Sequence, residues 1–127
     1  MSLILPTQVG TASSWALIDY ASRSVRSDPA VGGLATIDLG QIGDTEMWLI
    51  DHAVVACNSA TPTELRWYRS TVADQSLLDG TGTGNFDVGD WPNGLQLHPS
   101  ESLIAQWTGA ADGAVGIVAV QFRLLRR

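Results

Sequence analysis

The spacing of apolar residues changes character near residue 33. From there onward, short runs that alternate apolar and polar positions are separated by turns rich in Gly, Asp, Asn and Pro. Alternation with a period of two is typical of strands with one buried face, and short turns between them are typical of hairpins. The pattern therefore predicts an all-β fold, an antiparallel β-sandwich of the jelly-roll type with about seven or eight strands, over residues 33–127.

The predicted strands follow this alternation along the chain. They cover residues 34–39, 46–57, 64–71, 76–79, 95–98, 102–107 and 115–125. The strand at 46–57 is apolar on both faces, which indicates a central strand that is covered on two sides or lies at a subunit contact. In the last strand, alternate residues form a predicted buried stripe: Val118, Val120, Phe122 and Leu124. The residues between them are expected to face outward or toward a partner: Ile117, Ala119, Gln121 and Arg123.

Residues 1–32 hold few strong strand formers. We assign them to an extended or partly helical N-terminal arm that docks onto a neighbour, and residues 33–127 to the sandwich domain. A short helix capped by Ser13 or Ser14 fits the pattern, with apolar residues near one face. A strand fits equally well, with three residues on one side: Ala16, Ile18 and Tyr20.

Composition and charge narrow the range of partners. The chain is 45% hydrophobic and 16% charged, which excludes a disordered polymer. Thirteen acidic residues stand against seven basic ones, all of them arginine, for a net charge of −6. Nucleic acid is therefore not an expected partner, because affinity for it depends on a positive patch that neutralises phosphates.

The single cysteine and the first residues bear on the compartment. Cys57 ends the run AVVAC, so we expect a buried small apolar side chain rather than a reactive thiol. One cysteine allows no internal disulfide, which fits folding in a reducing cytoplasm. The start MSLILPTQ has no positive residue and only a three-residue apolar run, so no signal peptide is expected. No run approaches the roughly 18 apolar residues of a membrane span.

Two ligands can be considered for the Gly-rich segment 79–90, phosphate and calcium. Phosphate cradling needs a lysine that the chain lacks. Calcium would have four oxygen donors available, at a spacing that does not match the helix-loop-helix motif: Asp79, Asn85, Asp87 and Asp90. We instead expect a flexible loop that uses Gly and Asp for unusual backbone angles. Its predicted apolar anchors are Phe86, Val88 and Trp91.

Hydrolytic and metal chemistry have little support in the sequence. His98 could be oriented by Asp51 or Glu101, beside a serine at position 100 or 102. A Ser-His-acid arrangement is normally assembled from distant segments, so no catalytic site is expected here. Two histidines and one cysteine without clustered spacing supply no zinc site, and no cofactor is expected. We expect His52 to be half-buried within a strand and His98 to lie on a surface turn.

Aromatic residues are the candidates for contact. Sandwich modules that bind sugars use exposed aromatic rings as stacking platforms, and Trp67, Tyr68 and Trp91 are possible members of one. The alternative, which we favour, is that the two tryptophans fill the core or a subunit interface. The candidate interaction residues are Trp15, Tyr20, Trp67, Tyr68 and Trp91.

The chain resembles small structural proteins of tailed bacteriophages, particularly those that infect actinobacteria. The resemblance is carried by ATIDLGQIGDTEMWLIDHAVVAC, LLDGTGTGNFDV and LHPSESLIAQWTGAADGAVGIVAVQFRLL. It includes a loop of the form DGT-x-x-GN-x-D and a W-[ST]-GA hairpin before the final long strand. It spans about residues 33–125, and its motifs are turn residues that define a fold rather than an enzyme site.

The resemblance implies a non-enzymatic jelly-roll subunit of the virion. The resemblance implies either a capsid decoration (cement) protein or a minor head or tail component. A decoration protein would bind the major capsid protein and copies of itself, with a trimer favoured. Such a protein is made in the host cytoplasm and ends on the capsid surface, without nucleic acid or membrane as a partner. The alternative is a tail-associated module that binds a receptor or carbohydrate.

Overall fold

A computed structural model describes residues 15–40, 42–80 and 82–127. Within these ranges, eight strands follow one another along the chain, with one turn of 3-10 helix at Asp74–Ser76. The strands are β1 (Ala16–Arg26), β2 (Leu34–Asp38), β3 (Glu46–Cys57), β4 (Glu64–Arg69), β5 (Leu77–Gly80), β6 (Asp87–Leu97), β7 (Leu103–Thr108) and β8 (Gly116–Arg126).

The strands form two four-stranded sheets, and all strand pairs are antiparallel. The first sheet has the order β1-β8-β3-β6 and the second the order β2-β7-β4-β5. The chain passes repeatedly between the sheets, so that sequence neighbours such as β2 and β3 lie in different layers. This is the strand order of the eight-stranded jelly roll. The predicted antiparallel β-sandwich is therefore confirmed.

The core lies between the two sheets and is built from the inward residues of both. Its largest fully buried side chains are Trp67, Trp107, Ile37, Leu39, Ile50, Leu65, Leu97, Leu103, Val55, Val118 and Val120. The stripe predicted in β8 is part of this core: Val118, Val120 and Phe122 are buried, and Leu124 packs against the cluster. Trp48 stacks on Phe122, with ring centroids 4.0 Å apart. One continuous apolar layer thus joins the sheets.

A bulge in β3 explains why this strand is apolar on both faces. Pairing with β8 shifts register between Ile50 and His52, so that Asp51 is an extra residue of β3, and pairing with β6 is interrupted at the same point. Because side chains alternate along a strand, one extra residue reverses which positions face the core. Ile50 faces inward before the bulge, and Ala53 and Val55 face inward after it. β3 is central as predicted, but the uniform alternation predicted for it is wrong beyond Asp51.

The segment predicted as an N-terminal arm contains a strand of the first sheet. β1 pairs along its whole length with β8, and this strand assignment replaces the helix alternative for Ala16–Arg26. Residues 1–14 lie outside the described residues, so the arm stays a prediction for them. A second difference concerns β6. It begins at Asp87, within the region predicted as a long loop, and it absorbs the short strand predicted at 95–98.

Cys57 is a buried, free thiol at the end of β3, as the sequence indicated. None of the described residues belongs to a helix long and apolar enough to cross a membrane.

Candidate functional site: an apolar outer face

The Gly-rich loop before β6 is held against the sandwich by hydrogen bonds. The buried Nε1 of Trp107 donates to the carbonyl oxygen of Gly84 at 2.8 Å, and the hydroxyl of Thr63 donates to the Thr83 carbonyl oxygen at 2.5 Å. The side-chain oxygen of Asn85 accepts a bond from the Cys57 backbone N–H at 3.3 Å. These three bonds tie residues 83–85 of the loop to β3, to β7 and to the start of β4.

Glycine is required at position 84 by both space and backbone angle. Its φ is 69°, and a Cβ there would lie 2.6 Å from the Leu65 Cβ and 2.6 Å from the Trp107 Nε1. Any larger residue would push the loop away from the core. Close packing at Gly84 thus fixes where the next two residues emerge from the sandwich.

Phe86 is presented to solvent by this loop. Its side chain is 88% exposed, although it was predicted to anchor the loop in the core. Its φ is 52°, in the left-handed region that costs a non-glycine residue roughly 1–2 kcal/mol. A large apolar side chain that is both exposed and held in a strained backbone conformation adds little to folding. Such a residue is a candidate for contact with a partner.

Phe86 borders a patch of exposed apolar side chains on the outer surface of the first sheet. Val54 of β3 lies directly opposite Val88 of β6 and opposite Ala119 of β8, and Ala56 lies opposite Ile117. The exposed fractions of the larger members are 44% for Val54, 50% for Val88 and 37% for Ile117. We call the surface formed by Val54, Phe86, Val88 and Ile117 the apolar face.

A groove lies at the end of the apolar face beside Phe86. Its volume is about 340 Å³, and Arg26, Ala56, Val115 and Ile117 are among its lining residues. Arg26 forms no ion pair within the described residues, so its charge is open to an acidic group that enters the groove. The groove therefore suits a partner segment with an apolar side chain next to a carboxylate.

The opposite end of the same outer surface is polar. The Arg123 guanidinium donates two hydrogen bonds to the Asp51 carboxylate, at 3.1 Å from Nε and 2.7 Å from Nη2. The hydrogen bonds to Asp51 raise the pKa of Arg123 above its ordinary value, because they stabilise the charged guanidinium. His52 lies 3.5 Å from Asp90 on the neighbouring strand. The apolar face thus ends at a row of charged and polar groups.

The structure does not bring the predicted aromatic residues together on one exposed surface. Trp67 is fully buried and Tyr68 is 6% exposed. Trp91 is half-buried and packs edge-on against Trp67, with ring centroids 5.5 Å apart. The packing alternative therefore holds for Trp67, and a sugar-stacking platform cannot use its ring.

The other two candidates lie on or beside β1. Trp15 is half-buried and carries the Arg127 guanidinium 5.0 Å from its ring centroid. Tyr20 is 72% exposed and lies opposite Arg123 of β8, at the polar end of the outer surface. Of the five predicted interaction residues, Tyr20 offers the most accessible ring.

Two of the residues considered for metal binding or catalysis, Asp87 and Glu101, hold turns of the chain. Asp87 accepts bonds from the backbone N–H groups of Gly84 and Val88, at 3.4 and 2.9 Å. Glu101 accepts bonds from the His98 backbone N–H at 2.8 Å and from Arg69 at 3.1 Å. It therefore shapes the turn before β7 and does not orient the imidazole. The described residues contain no cluster of His, Cys, Asp or Glu able to hold a metal ion.

The fold is shared with a protein of a viral capsid. No family model and no curated protein matches the chain. Among solved structures, the chain is similar to a chain of the acidic stable capsid structure of Helicobacter pylori bacteriophage KHP30. The TM-score is 0.57 at 8% sequence identity, and the alignment covers 86% of this chain and 90% of that one. At this identity, the likeness shows the fold.

A second alignment is to the structure of infectious bursal disease virus Gx strain. It covers 87% of this chain and 43% of that chain, with 11% identity and a TM-score of 0.25. The fold assignment therefore rests on the bacteriophage KHP30 structure and on the strand order.

Only part of the apolar face could be predicted from the alternation of apolar and polar residues. Outward positions of β8 were predicted to face solvent or a partner, and Ile117 and Ala119 are exposed as expected. Val54 could be placed only once the bulge at Asp51 was known, because the bulge sets its orientation. Phe86 looked like a loop anchor, since composition does not distinguish an apolar residue that packs inward from one that is displayed.

Proposed function

We propose that this protein is a non-enzymatic structural subunit of a bacteriophage virion, and more narrowly a capsid decoration protein. The observation that carries the proposal is the jelly roll shared with the bacteriophage KHP30 capsid structure over 86% of the chain. The resemblance of the turn motifs to phage structural proteins supports the same role. That structure comes from a Helicobacter pylori phage, so the narrower resemblance to phages of actinobacteria remains a prediction.

The apolar face is the surface that we assign to the shell. Monomeric proteins rarely expose contiguous apolar surface without a partner, and aromatic residues are enriched in the buried centres of interfaces. Phe86 has the exposure and position of such an anchor. Each subunit would contribute a modest contact to the major capsid protein, and several subunits acting together would bind with high avidity.

The alternative, a tail module that binds carbohydrate, is not favoured by the arrangement of the aromatic rings. Its platform would need Trp67 and Tyr68 exposed, and both are buried. Phe86 has no hydrogen-bonding group in its side chain and lines the groove together with Val115 and Ile117, a surface better suited to an apolar protein contact than to a sugar.

Particles that lack this protein provide the test. Purified protein added to shells of the major capsid protein should bind with a fixed stoichiometry and raise the temperature at which the shell opens. The matched comparison is Phe86→Ser against Thr36→Ala, because Thr36 is exposed on the outer surface of the other sheet. We expect Phe86→Ser to lose shell binding and Thr36→Ala to retain it.

Two outcomes would contradict the proposal. Shells may be equally robust with and without saturating protein, or the protein may be found only at the tail tip of intact particles. A screen of bacterial surface glycans distinguishes the alternative, since a tail module should bind a glycan and a decoration protein should not.

A further inference from the structure

The four sheet edges of the sandwich differ in how well they resist pairing with another strand. β2 has five residues and β5 has four, and short edge strands offer few unpaired backbone groups. β6 contains Pro92, and its pairing with β3 is interrupted between Asp90 and Leu95. Each of these three edges therefore has a feature that hinders the addition of a strand.

β1 is the edge without such protection over most of its length. It has eleven residues, with neither proline nor glycine, and one irregularity between Leu17 and Asp19. It pairs with β8 on one side, which leaves the backbone groups of its other side without a strand partner in the described chain. It also exposes Ile18 and Tyr20, at 51% and 72%. A long, exposed edge with apolar side chains is a template for strand pairing.

The charges of β1 favour a second copy of the same strand as its partner. Asp19 and Arg23 have their side chains on the same face, four residues apart. Asp19 accepts a hydrogen bond from the Tyr20 backbone N–H at 2.8 Å, and Arg23 donates one to the Leu39 carbonyl oxygen at 2.9 Å. Neither forms an ion pair within the described residues, so both charges are available to a facing strand. When two antiparallel copies meet with Ala21 at the two-fold axis, Asp19 of each copy lies opposite Arg23 of the other. Opposite charges in directly facing positions stabilise an antiparallel pair.

The other nearby registers lack this match. A two-fold axis at Asp19 or at Arg23 places like charges opposite each other, which is destabilising. An axis at Tyr20 or at Ser22 places one charged residue of each copy opposite Ala21. The register centred on Ala21 also keeps the paired residues, Asp19–Arg23, clear of the irregularity at Ile18. Charge therefore selects one register out of five.

We propose that β1 is a self-association edge, at which two copies pair antiparallel about Ala21 and join their first sheets into one continuous eight-stranded sheet. Such an interface is isologous, with each subunit contributing the same surface. It leaves the apolar face of both copies free. Because only β1 and its charges are used, this pairing can be tested whether or not the protein is part of a virion.

Charge reversal in the full-length protein tests the pairing. The wild-type chain should sediment as an even multiple of its 13.5 kDa protomer, two copies or six if these pairs also link trimers. With Asp19→Arg, each of the two facing pairs at the interface, position 19 of one copy and position 23 of the other, consists of two arginines. The dissociation constant of the dimer should therefore rise at least about tenfold. Mixing Asp19→Arg with Arg23→Asp should restore association between the two different chains, because each arginine then faces an aspartate.

The control is Asp28→Arg, which makes the same charge change at an exposed residue outside β1 and should leave association unchanged. A wild-type chain that sediments as a monomer or a trimer at about 0.1 mM would overturn the proposal. So would association that Asp19→Arg does not weaken, or mixed chains that fail to associate while each retains the wild-type circular dichroism spectrum.

Discussion

The outer surfaces of the two sheets differ although they cover one core. The apolar face presents valine and isoleucine from three neighbouring strands, and phenylalanine from the loop before β6. The middle of the second sheet's outer surface is polar, and its members are Thr36, Glu64, Arg66, Gln106 and Thr108. There Gln106 donates a hydrogen bond to Thr36 at 3.2 Å, across paired strands. We call this second surface the polar face.

This difference between the two outer surfaces shows which apolar residues the sandwich needs for folding and which it does not. A jelly roll needs inward apolar residues on both sheets, and both sheets supply them. Nothing in sandwich packing requires apolar residues to face outward, and an antiparallel sheet commonly has one solvated face. The polar face meets that expectation, with Leu34 and Leu77 as large exposed apolar residues at its edge strands. The apolar face departs from it, which is why we assign the partner to that side.

The largest expected effect comes from Trp107, which is buried in the core and also supports the loop that carries Phe86. Trp107→Ala should lower the free energy of unfolding by about 3–5 kcal/mol, because it opens a cavity and leaves the Gly84 carbonyl without its donor. Chemical denaturation measures the loss. If stability changed by less than about 1 kcal/mol, the loop and core would not be coupled as described.

A substitution at Gly116, the first residue of β8, should disturb the packing of Trp107 with a smaller loss of stability. A Cβ at this position would lie 2.5 Å from the ring of Trp107, so the ring must shift. Gly116→Ala should therefore cost about 1–3 kcal/mol. Gly113→Ala is the comparison for added bulk, since a Cβ there meets nothing within 4 Å, although its φ of 86° adds backbone strain. Thermal unfolding should place Gly116→Ala below Gly113→Ala, and the reverse order would contradict the packing.

Phe86→Gly separates folding from contact within the apolar face. Glycine relieves the left-handed backbone, so the free energy of unfolding should stay the same or rise by up to about 1 kcal/mol. Shell binding should fall at least about tenfold, because an interfacial aromatic anchor is lost. Denaturation and a binding titration on the same preparation should thus show unchanged or higher stability together with weaker binding. A variant that binds as tightly as wild type would show that Phe86 is not a contact.

The smallest effect is expected on the polar face. Gln106→Ala removes the hydrogen bond to Thr36 at a partly exposed position, and it should change stability by no more than about 0.5 kcal/mol. Its binding to shells should equal that of the wild type. A binding defect here as large as that of Phe86→Gly would erase the distinction between the two faces.

Much of the sandwich could be predicted from the period-two pattern, since strands with one buried face record their orientation in the sequence. The range predicted for β3 matches the structure, and the buried stripe of β8 was placed correctly. β1 was missed as a definite strand because nearly all of its residues are exposed, so no alternation marks a buried face. Only the last part of β6 was predicted, as a short strand over residues 95–98, because Pro92 and Gly94 resemble turn signals although they lie within the strand.

The candidate surface was harder to predict than the fold for a physical reason. Periodicity reports which residues face a core, and a contact surface is apolar without being buried in the subunit. The aromatic residues singled out from the sequence include Trp67, which belongs to the core. The exposed ring is Phe86, whose display depends on the hydrogen bond between Gly84 and Trp107, residues far apart in sequence. Such a tertiary contact leaves no local pattern.

The most direct test of this account is a cryo-electron microscopy reconstruction of the intact particle at a resolution that shows side chains. We expect the sandwich on the capsid shell, with Phe86 and the rest of the apolar face against the major capsid protein and the polar face toward solvent. A sandwich seated on the shell through Thr36, Arg66 and Gln106, or found away from the shell, would contradict it.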